Sequence, residues 1–208
     1  AQYIYERCGE TGKRVQALGG AKNIVAVMPT ADVEEGMPSI VASFFGCSGQ
    51  RCLAGSILAP VGDKTDEIIE KFVAAAKKIK VGDGLDQATG MGPVGSAAQR
   101  DKVMAYIEKG IEEGATLLLD GRDIQVEGYP DGFFVGPTVF DNVTPDMTIA
   151  KEEIFGPVVS IVRCSNLEGV IDLVNSRDFA NATSIYTGSG NDARKFKYEV
   201  TPSMVGVN

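Results

Sequence analysis

Short apolar runs alternate with longer amphipathic stretches along the 208 residues of this chain. This alternation is typical of an α/β domain, in which helices connect the strands of a largely parallel sheet. The runs that predict strands are residues 23–28, 53–61, 116–119, 158–164, 182–187 and 203–207. The sequence therefore predicts an open, largely parallel sheet flanked by helices.

The amphipathic stretches predict helices between these strands. In two of them a Ser precedes a Gln or Glu by three residues, which is the spacing of a capping box: Ser96 with Gln99, and Ser165 with Glu168. Further helices are predicted at residues 66–79 and 192–199, and loops rich in Gly, Asp and Pro at residues 82–95 and 124–136.

The chain carries 28 acidic and 20 basic residues, a net charge of −8, and no histidine. An acidic surface repels nucleic-acid backbones and anionic lipid headgroups, so neither nucleic acid nor a membrane is expected as a partner. Without histidine the chain cannot form a Ser-His-Asp triad, a Cys-His pair or a His-ligated metal site. Any covalent catalysis must use another base or another nucleophile.

The four cysteines, Cys8, Cys47, Cys52 and Cys164, are too few and too irregularly spaced for a disulfide framework. They indicate a reducing compartment: the cytoplasm, or the mitochondrial matrix in a eukaryote. Zinc is not expected, because Cys47 and Cys52 lack a second pair of ligands. Cys47, which follows two Phe, and Cys164, in an apolar run, are expected to be packing residues.

Cys52 is the candidate nucleophile. It directly follows Arg51 in a stretch of small and polar residues. A thiolate is the reactive form of cysteine, and an adjacent guanidinium lowers the pKa of a thiol. Taken alone, however, these residues favour the simpler interpretation, a half-buried thiol without a chemical role.

Residues 150–159 are a second candidate, because Glu152, Glu153 and Phe155 precede a Gly-Pro break and an apolar strand. Carboxylates at the end of an open sheet can bind ribose hydroxyls, and an aromatic ring can line a site for a flat ligand. The same composition also suits a surface turn, and the residues alone do not decide between the two. The glycine turn at residues 19–23 matches neither a phosphate-binding nor a dinucleotide motif and is expected to be a plain turn.

Together these segments resemble the catalytic domain of the aldehyde dehydrogenase superfamily, over essentially the whole chain. The resemblance rests on GQRC at 49–52, KVGD at 80–83 with GP at 92–93, MTIAKEEIFGPV at 147–158 and GVN at 206–208. Further segments are similar to the CoA-acylating methylmalonate-semialdehyde branch: GAKN at 20–23, Arg51 directly before Cys52, DGR at 120–122, GY at 128–129 and FVGPT at 134–138.

The resemblance implies an NAD-dependent oxidoreductase in which Cys52 attacks an aldehyde and no metal takes part. Arg51 would bind the carboxylate of malonate or methylmalonate semialdehyde, the alternative being a helix-end or surface contact. Glu153 would hold the nicotinamide ribose of NAD, with Phe155 beside the nicotinamide. Leu18 stands where hydrolytic members have a general base, which implies that coenzyme A, rather than water, releases the thioester.

Family members are longer, and the resemblance makes residues 1–208 their catalytic domain. Residues 1–12 are expected to be a remnant of the coenzyme-binding domain, with the rest of that domain and a C-terminal oligomerisation segment outside this chain. The isolated chain is expected to be nearly inactive, and the full-length protein to form a homo-oligomer. Two alternatives stay open: a hydrolysing aldehyde dehydrogenase for another semialdehyde, and a non-catalytic module with the same fold.

Overall fold

A single sheet organises the chain in the computed structural model, which describes residues 1–179 and 181–208. The strands of the described residues are β1 (Asn23–Val27), β2 (Gly55–Pro60), β3 (Thr116–Leu119), β4 (Thr138–Asp141), β5 (Val158–Ile161), β6 (Ala182–Tyr186) and β7 (Met204–Val207). They lie in the order β3-β4-β5-β2-β1-β6-β7. All neighbours pair in parallel except β3, which pairs with β4 in the antiparallel direction.

Helices cover both faces of the sheet, apart from the first one, which buries none of its residues. They are α1 (Gln2–Glu10), α2 (Val33–Phe45), α3 (Thr65–Ala76), α4 (Ala97–Glu112), α5 (Thr148–Lys151), α6 (Leu167–Asn175) and α7 (Gly190–Glu199). Among the described residues, no helix has both the length and the apolar character needed to cross a membrane. The α/β architecture with a largely parallel sheet confirms the predicted fold class.

The central strand β1 explains why the strands read as unbroken apolar runs. Ile24 and Ala26 belong to the core beneath α4, α6 and α7, whereas Val25 and Val27 belong to the core beneath α2 and α3. Successive side chains of a strand point to opposite faces, so a strand covered on both faces must be apolar at every position. The sheet therefore has a core on each face, and the loops at its two edges are left to carry polar side chains.

Strand β4 was missed by the sequence prediction. Its first and last residues, Thr138 and Asp141, are polar yet buried. The Asp141 carboxylate accepts hydrogen bonds from the Arg163 guanidinium at 2.7 and 3.1 Å, which lowers the pKa of Asp141 despite the opposing effect of its burial. A short strand with polar ends has no apolar run that could have identified it.

One of the two predicted capping boxes is wrong. Helix α6 begins after Asn166, whose Oδ1 accepts a hydrogen bond from the Gly169 N–H at 2.9 Å, and not after Ser165. At α4 the Ser96 hydroxyl accepts from the Gln99 N–H at 3.1 Å, as predicted. The Gln99 side chain does not complete that box, because its amide donates instead to the backbone carbonyls of Ile154 and Phe155.

Candidate active site

The predicted site residues lie at one edge of the sheet, where the parallel strands begin. Residues 49–54 lead into β2, residues 152–157 into β5, residues 19–22 into β1 and residue 181 into β6. Because β5, β2, β1 and β6 are consecutive parallel neighbours, these four segments share the amino-end edge. Open α/β sheets more often bind ligands at the carboxyl ends of their strands, so this site occupies the less common edge.

Helix α2 ends at this edge of the sheet. Phe44 and Phe45 are buried and pack against the ring of Phe72 from α3, with ring centroids 5.3 and 5.9 Å apart. The chain then reverses through Cys47 and Ser48, which have left-handed φ angles of 52° and 55°. The Ser48 hydroxyl is buried and donates to the Gly92 carbonyl at 2.6 Å. These contacts fix the start of the loop that bears Cys52.

Cys52 lies in an exposed turn that the Ala54 N–H closes with a 3.0 Å hydrogen bond to the Arg51 carbonyl. This turn delays β2 to Gly55, two residues beyond the predicted start. The Cys52 carbonyl accepts hydrogen bonds from the side-chain amides of Asn23 at 2.9 Å and Asn181 at 2.6 Å. The candidate nucleophile is therefore accessible, and its backbone is held in place.

The other cysteines differ from Cys52 in their surroundings. Cys47 is exposed, so the prediction that it packs in the core is wrong: α2, whose buried face includes Phe44 and Phe45, ends before it. Cys164 is partly buried against the core, and burial raises the pKa of its thiol to about 11. Cys164 is thus a packing residue, as expected.

Arg51 is exposed, and its guanidinium reaches back to α2. Nη2 donates to the carbonyl of Ala42 at 2.7 Å and to that of Ser43 at 3.2 Å, both in the last turn of the helix. The helix-end contact that the sequence left as an alternative is therefore formed. Within the described part of the chain, Nε and Nη1 of Arg51 have no hydrogen-bond partner, so most of the guanidinium remains available to a ligand.

Lys22 fixes the segment that contains Glu153. It is only 3% exposed, and its Nζ donates to the Glu152 carbonyl at 2.9 Å. Burial lowers the pKa of Lys22 to about 7, against the opposing effect of the nearby Glu153 carboxylate. The Glu152 side chain is fixed as well, since it accepts a 2.6 Å hydrogen bond from the Tyr106 hydroxyl. Burial and this contact raise the pKa of Tyr106 to about 12.

One face of α4 fixes the same segment from the other side. The Gln99 side-chain amide donates to the carbonyls of Ile154 at 3.0 Å and Phe155 at 2.8 Å, and Lys102 Nζ donates to the Glu153 carbonyl at 3.2 Å. Phe155 has a left-handed φ of 62°, and its side chain is 36% exposed. Four consecutive carbonyls are thus occupied, while no described residue hydrogen-bonds the half-buried carboxylate of Glu153.

The turn that bears Cys52 and the segment that bears Glu153 meet at Gly49 and Gly156. A Cβ placed on Gly49 would lie 2.3 Å from the Gly156 carbonyl oxygen, so no side chain fits there. The cleft beside this contact is lined by Lys22, Arg51 and Glu153 together with Phe155. Cys52 is not among the lining residues and follows Arg51 at the turn. The structure therefore brings the four predicted site residues to one place, with Cys52 beside the cleft.

Cations surround this edge of the sheet. In a parallel α/β arrangement the helices run opposite to the strands, so α2 ends here and presents the partial negative charge of its last carbonyls. Arg51 neutralises two of those carbonyls. Lys102 adds positive charge at the neighbouring segment, and Lys22, whose pKa burial lowers to about 7, adds only part of a charge at neutral pH. These side-chain cations suit an anionic ligand, even though the chain as a whole is acidic.

Comparison with known proteins places this chain in a family. The sequence model of the aldehyde dehydrogenase family matches residues 1–208. The chain belongs to the aldehyde dehydrogenase family. The family resemblance read from the sequence motifs is therefore confirmed.

Relatives within the aldehyde dehydrogenase family are similar in both sequence and fold. Malonate-semialdehyde dehydrogenase 1 of Geobacillus thermodenitrificans is 49% identical over 208 residues, which is 100% of this chain and 43% of the relative. Methylmalonate-semialdehyde dehydrogenase from Oceanimonas doudoroffii is 42% identical, has a TM-score of 0.95 and is matched over 99% of this chain and 42% of its own.

A third relative was solved with NAD bound. This Sinorhizobium meliloti 1021 protein, assigned as a methylmalonate-semialdehyde dehydrogenase, is 40% identical with a TM-score of 0.96 over 100% of this chain and 42% of its own. The chain thus spans less than half the length of these relatives. In the described residues of this aldehyde dehydrogenase chain, no group of three or more His, Cys, Asp or Glu could hold a metal ion.

Several residues of the candidate site were missed from the sequence. The sequence could have indicated Lys22 and Asn23, because they are polar residues at the very start of a strand that is otherwise apolar and buried. Gln99 was noticed only as a capping residue. Tyr106 and Asn181 had no signal, because their partners, Glu152 and Cys52, are 46 and 129 residues away in sequence.

Proposed function

We propose that this chain is the catalytic part of an NAD-dependent, CoA-acylating dehydrogenase for malonate or methylmalonate semialdehyde. The observation that carries the proposal is the junction at Gly49 and Gly156, where the turn bearing Arg51 and Cys52 meets the segment bearing Glu153 and Phe155. The names of the relatives support the substrate class, and the NAD bound to one relative supports the coenzyme.

The residues present fit an NAD ribose and nicotinamide. The Glu153 carboxylate has two acceptor oxygens that no described residue occupies, a suitable partner for two adjacent ribose hydroxyls. The Phe155 side chain is 36% exposed beside it, which leaves a flat surface for an aromatic ring. When bound, NAD would accept a hydride from the substrate. Lys22, Gln99 and Lys102 hold the backbone that carries both side chains.

Cys52 would supply the covalent chemistry. Its thiolate sulfur would attack the aldehyde carbon and form a carbon–sulfur bond as the C=O π bond opens, and the resulting oxyanion would take a proton from solvent to give a thiohemiacetal. Loss of the hydride to the coenzyme and of the hydroxyl proton to solvent converts this group to a thioester. Attack of the coenzyme A sulfur on the same carbon, with its thiol proton passing to solvent, would break the bond to Cys52 and regenerate the Cys52 thiolate as the acyl-CoA forms.

Leu18 supports release by a thiol rather than by water. The residue is 81% exposed, its apolar side chain cannot accept a proton, and the chain has no histidine to take over that role. Hydrolysis of the thioester needs a base to activate water, whereas a thiol nucleophile is already partly ionised at neutral pH.

We further propose a homo-oligomer in a reducing compartment for the full-length protein.

Product analysis on the full-length protein tests this proposal. With malonate semialdehyde and NAD, we expect acyl-CoA and NADH when CoA is present, and little turnover without CoA. Mass spectrometry of the acyl product and absorbance of NADH are the measurements. A free acid formed equally well without CoA would support the hydrolysing alternative. A complete lack of NADH with every semialdehyde would support the non-catalytic module.

Arg51→Lys in the full-length protein tests the substrate carboxylate contact. Lysine keeps the charge but loses the planar pair of donors, so we expect KM for malonate semialdehyde to rise about tenfold or more. KM for propanal, which has no carboxylate, should change little. Steady-state kinetics with both aldehydes make the comparison. Equal losses for the two aldehydes would assign Arg51 to the end of α2 and not to the substrate.

A further inference from the structure

Two asparagines converge on the backbone of the candidate nucleophile. Asn23, at the first position of β1, is 4% exposed and donates from Nδ2 to the Cys52 carbonyl at 2.9 Å and to the Ala54 carbonyl at 2.7 Å. Asn181, directly before β6, donates from Nδ2 to the same Cys52 carbonyl at 2.6 Å. The Cys52 carbonyl therefore accepts two side-chain amides, one from β1 and one from the residue that precedes β6.

The two asparagines are also joined to each other. The Ala182 N–H, next to Asn181, donates to Asn23 Oδ1 at 3.1 Å. Asn23 thereby uses both of its N–H groups and its carbonyl oxygen in a buried position, so its own orientation is fully determined. Because β1 and β6 are paired strands, the Cys52 turn is tied to the rigid centre of the sheet.

Holding a carbonyl constrains the side chain of the same residue. The direction of the Cys52 C=O bond is set by the ψ angle of Cys52, because the peptide group is planar. That angle also relates the Cα–Cβ bond, and with it the thiol, to the rest of the turn. The turn is otherwise exposed at Arg51, Cys52 and Leu53. Besides the two amides, the described residues support it through the bond between Ala54 and Arg51 and through the Arg51 guanidinium on α2.

We infer that Asn23 and Asn181 are positioning residues for the Cys52 thiolate, an inference that rests on the proposed function of Cys52 as nucleophile. They touch neither substrate nor coenzyme in this scheme and act through the Cys52 carbonyl. Their contribution lies in the covalent step, where a displacement of about 1 Å costs roughly 100-fold in rate. Coenzyme binding, which depends on the segment around Glu153, is separate from this contact.

The test uses Asn181, because variants of the buried Asn23 also disturb the start of β1. In the full-length protein, Asn181→Ala and Asn181→Asp should each lower kcat for NADH formation by tenfold or more, with Kd for NAD unchanged. Aspartate keeps the shape of the side chain but cannot donate, so it separates the hydrogen bond from packing. Alkylation of Cys52 by iodoacetamide at pH 7, followed by peptide mass spectrometry, should slow in both variants.

Asn175→Ala is the matched control. The Asn175 amide also donates to a backbone carbonyl, that of Glu199 at 2.8 Å, and its Oδ1 accepts from the Thr201 N–H at 2.9 Å. It does not touch the Cys52 turn, so kcat and alkylation should stay at the wild-type values. Equal losses in Asn175→Ala and Asn181→Ala would overturn the inference, as would wild-type kcat and alkylation in Asn181→Asp.

The two arms of the experiment separate this inference from the proposed function. If the wild-type protein forms no NADH, the proposed function fails, and slower alkylation in the Asn181 variants alone would still support positioning of Cys52. If the wild-type protein forms NADH and the Asn181 variants match it in both measurements, the positioning role fails and the proposed function stands.

Discussion

Cys52→Ser in the full-length protein should abolish NADH formation, with a loss of kcat of about 10⁴-fold or more. A serine hydroxyl is a poor nucleophile without an adjacent base, and this chain has no histidine to provide one. Binding of NAD, measured by fluorescence titration, should not change, because the groups that fit the coenzyme lie on the segment around Glu153. The loss should therefore appear in chemistry and not in coenzyme affinity.

Cys47→Ser provides the matched control for this loss. Cys47 is also an exposed thiol and lies five residues before Cys52 in the same loop. A catalytic role specific to Cys52 requires that Cys47→Ser keep wild-type activity. Retained NADH formation in Cys52→Ser, or a comparable loss in Cys47→Ser, would refute the assignment of the nucleophile.

Gly49→Ala should be the most damaging change outside the reacting groups. The residue has a φ of +69°, and its new Cβ would lie 2.3 Å from the Gly156 carbonyl oxygen. The left-handed conformation alone costs an alanine about 1 kcal/mol. The clash is with backbone, so the Cys52 turn and the Glu153 segment must move apart. We expect about a 100-fold or greater loss in kcat/KM, together with weaker NAD binding.

Gly128→Ala separates the cost of the left-handed backbone conformation from the effect of the clash. Gly128 also has a positive φ, +82°, but a Cβ there would meet no atom within 4 Å. It should lower stability by about 1 kcal/mol, measured by denaturant unfolding, and leave the kinetics intact. If Gly49→Ala retained full kcat/KM, the close approach of the two segments would have no catalytic importance.

The sheet could be predicted from the sequence because burial on both faces imposes an unmistakable pattern. Strands such as β1 and β2 are buried almost throughout, so they appear as continuous apolar runs. Strand β4 could not be found that way, since its buried Thr138 and Asp141 are stabilised by hydrogen bonds instead of apolar packing. The start of α6 was misplaced by one residue because Asn166 competes with Ser165 as the capping residue.

The candidate site was only partly predictable, for a different reason. Arg51 and Cys52 are adjacent in sequence, so their possible chemistry could be read from a few letters. The contacts that hold them are not local: Asn181 reaches Cys52 across 129 residues, and Lys22 reaches Glu152 across 130. Nothing in a linear pattern specifies such pairs. The contact of Arg51 with the end of α2 likewise needed the reversal of the chain through Cys47 and Ser48.

The position of β6 between β1 and β7 has a consequence for how the site assembles during folding. The pairing of β1 with β2 joins residues close in sequence, but the pairing of β1 with β6 closes a loop of about 160 residues and is entropically costly. An intermediate that has formed β1, β2 and α2 would already contain the Cys52 turn, yet it would lack Asn181. Full thiol reactivity should therefore appear only as β6 docks, which makes the reaction rate of Cys52 a natural reporter of the final folding step.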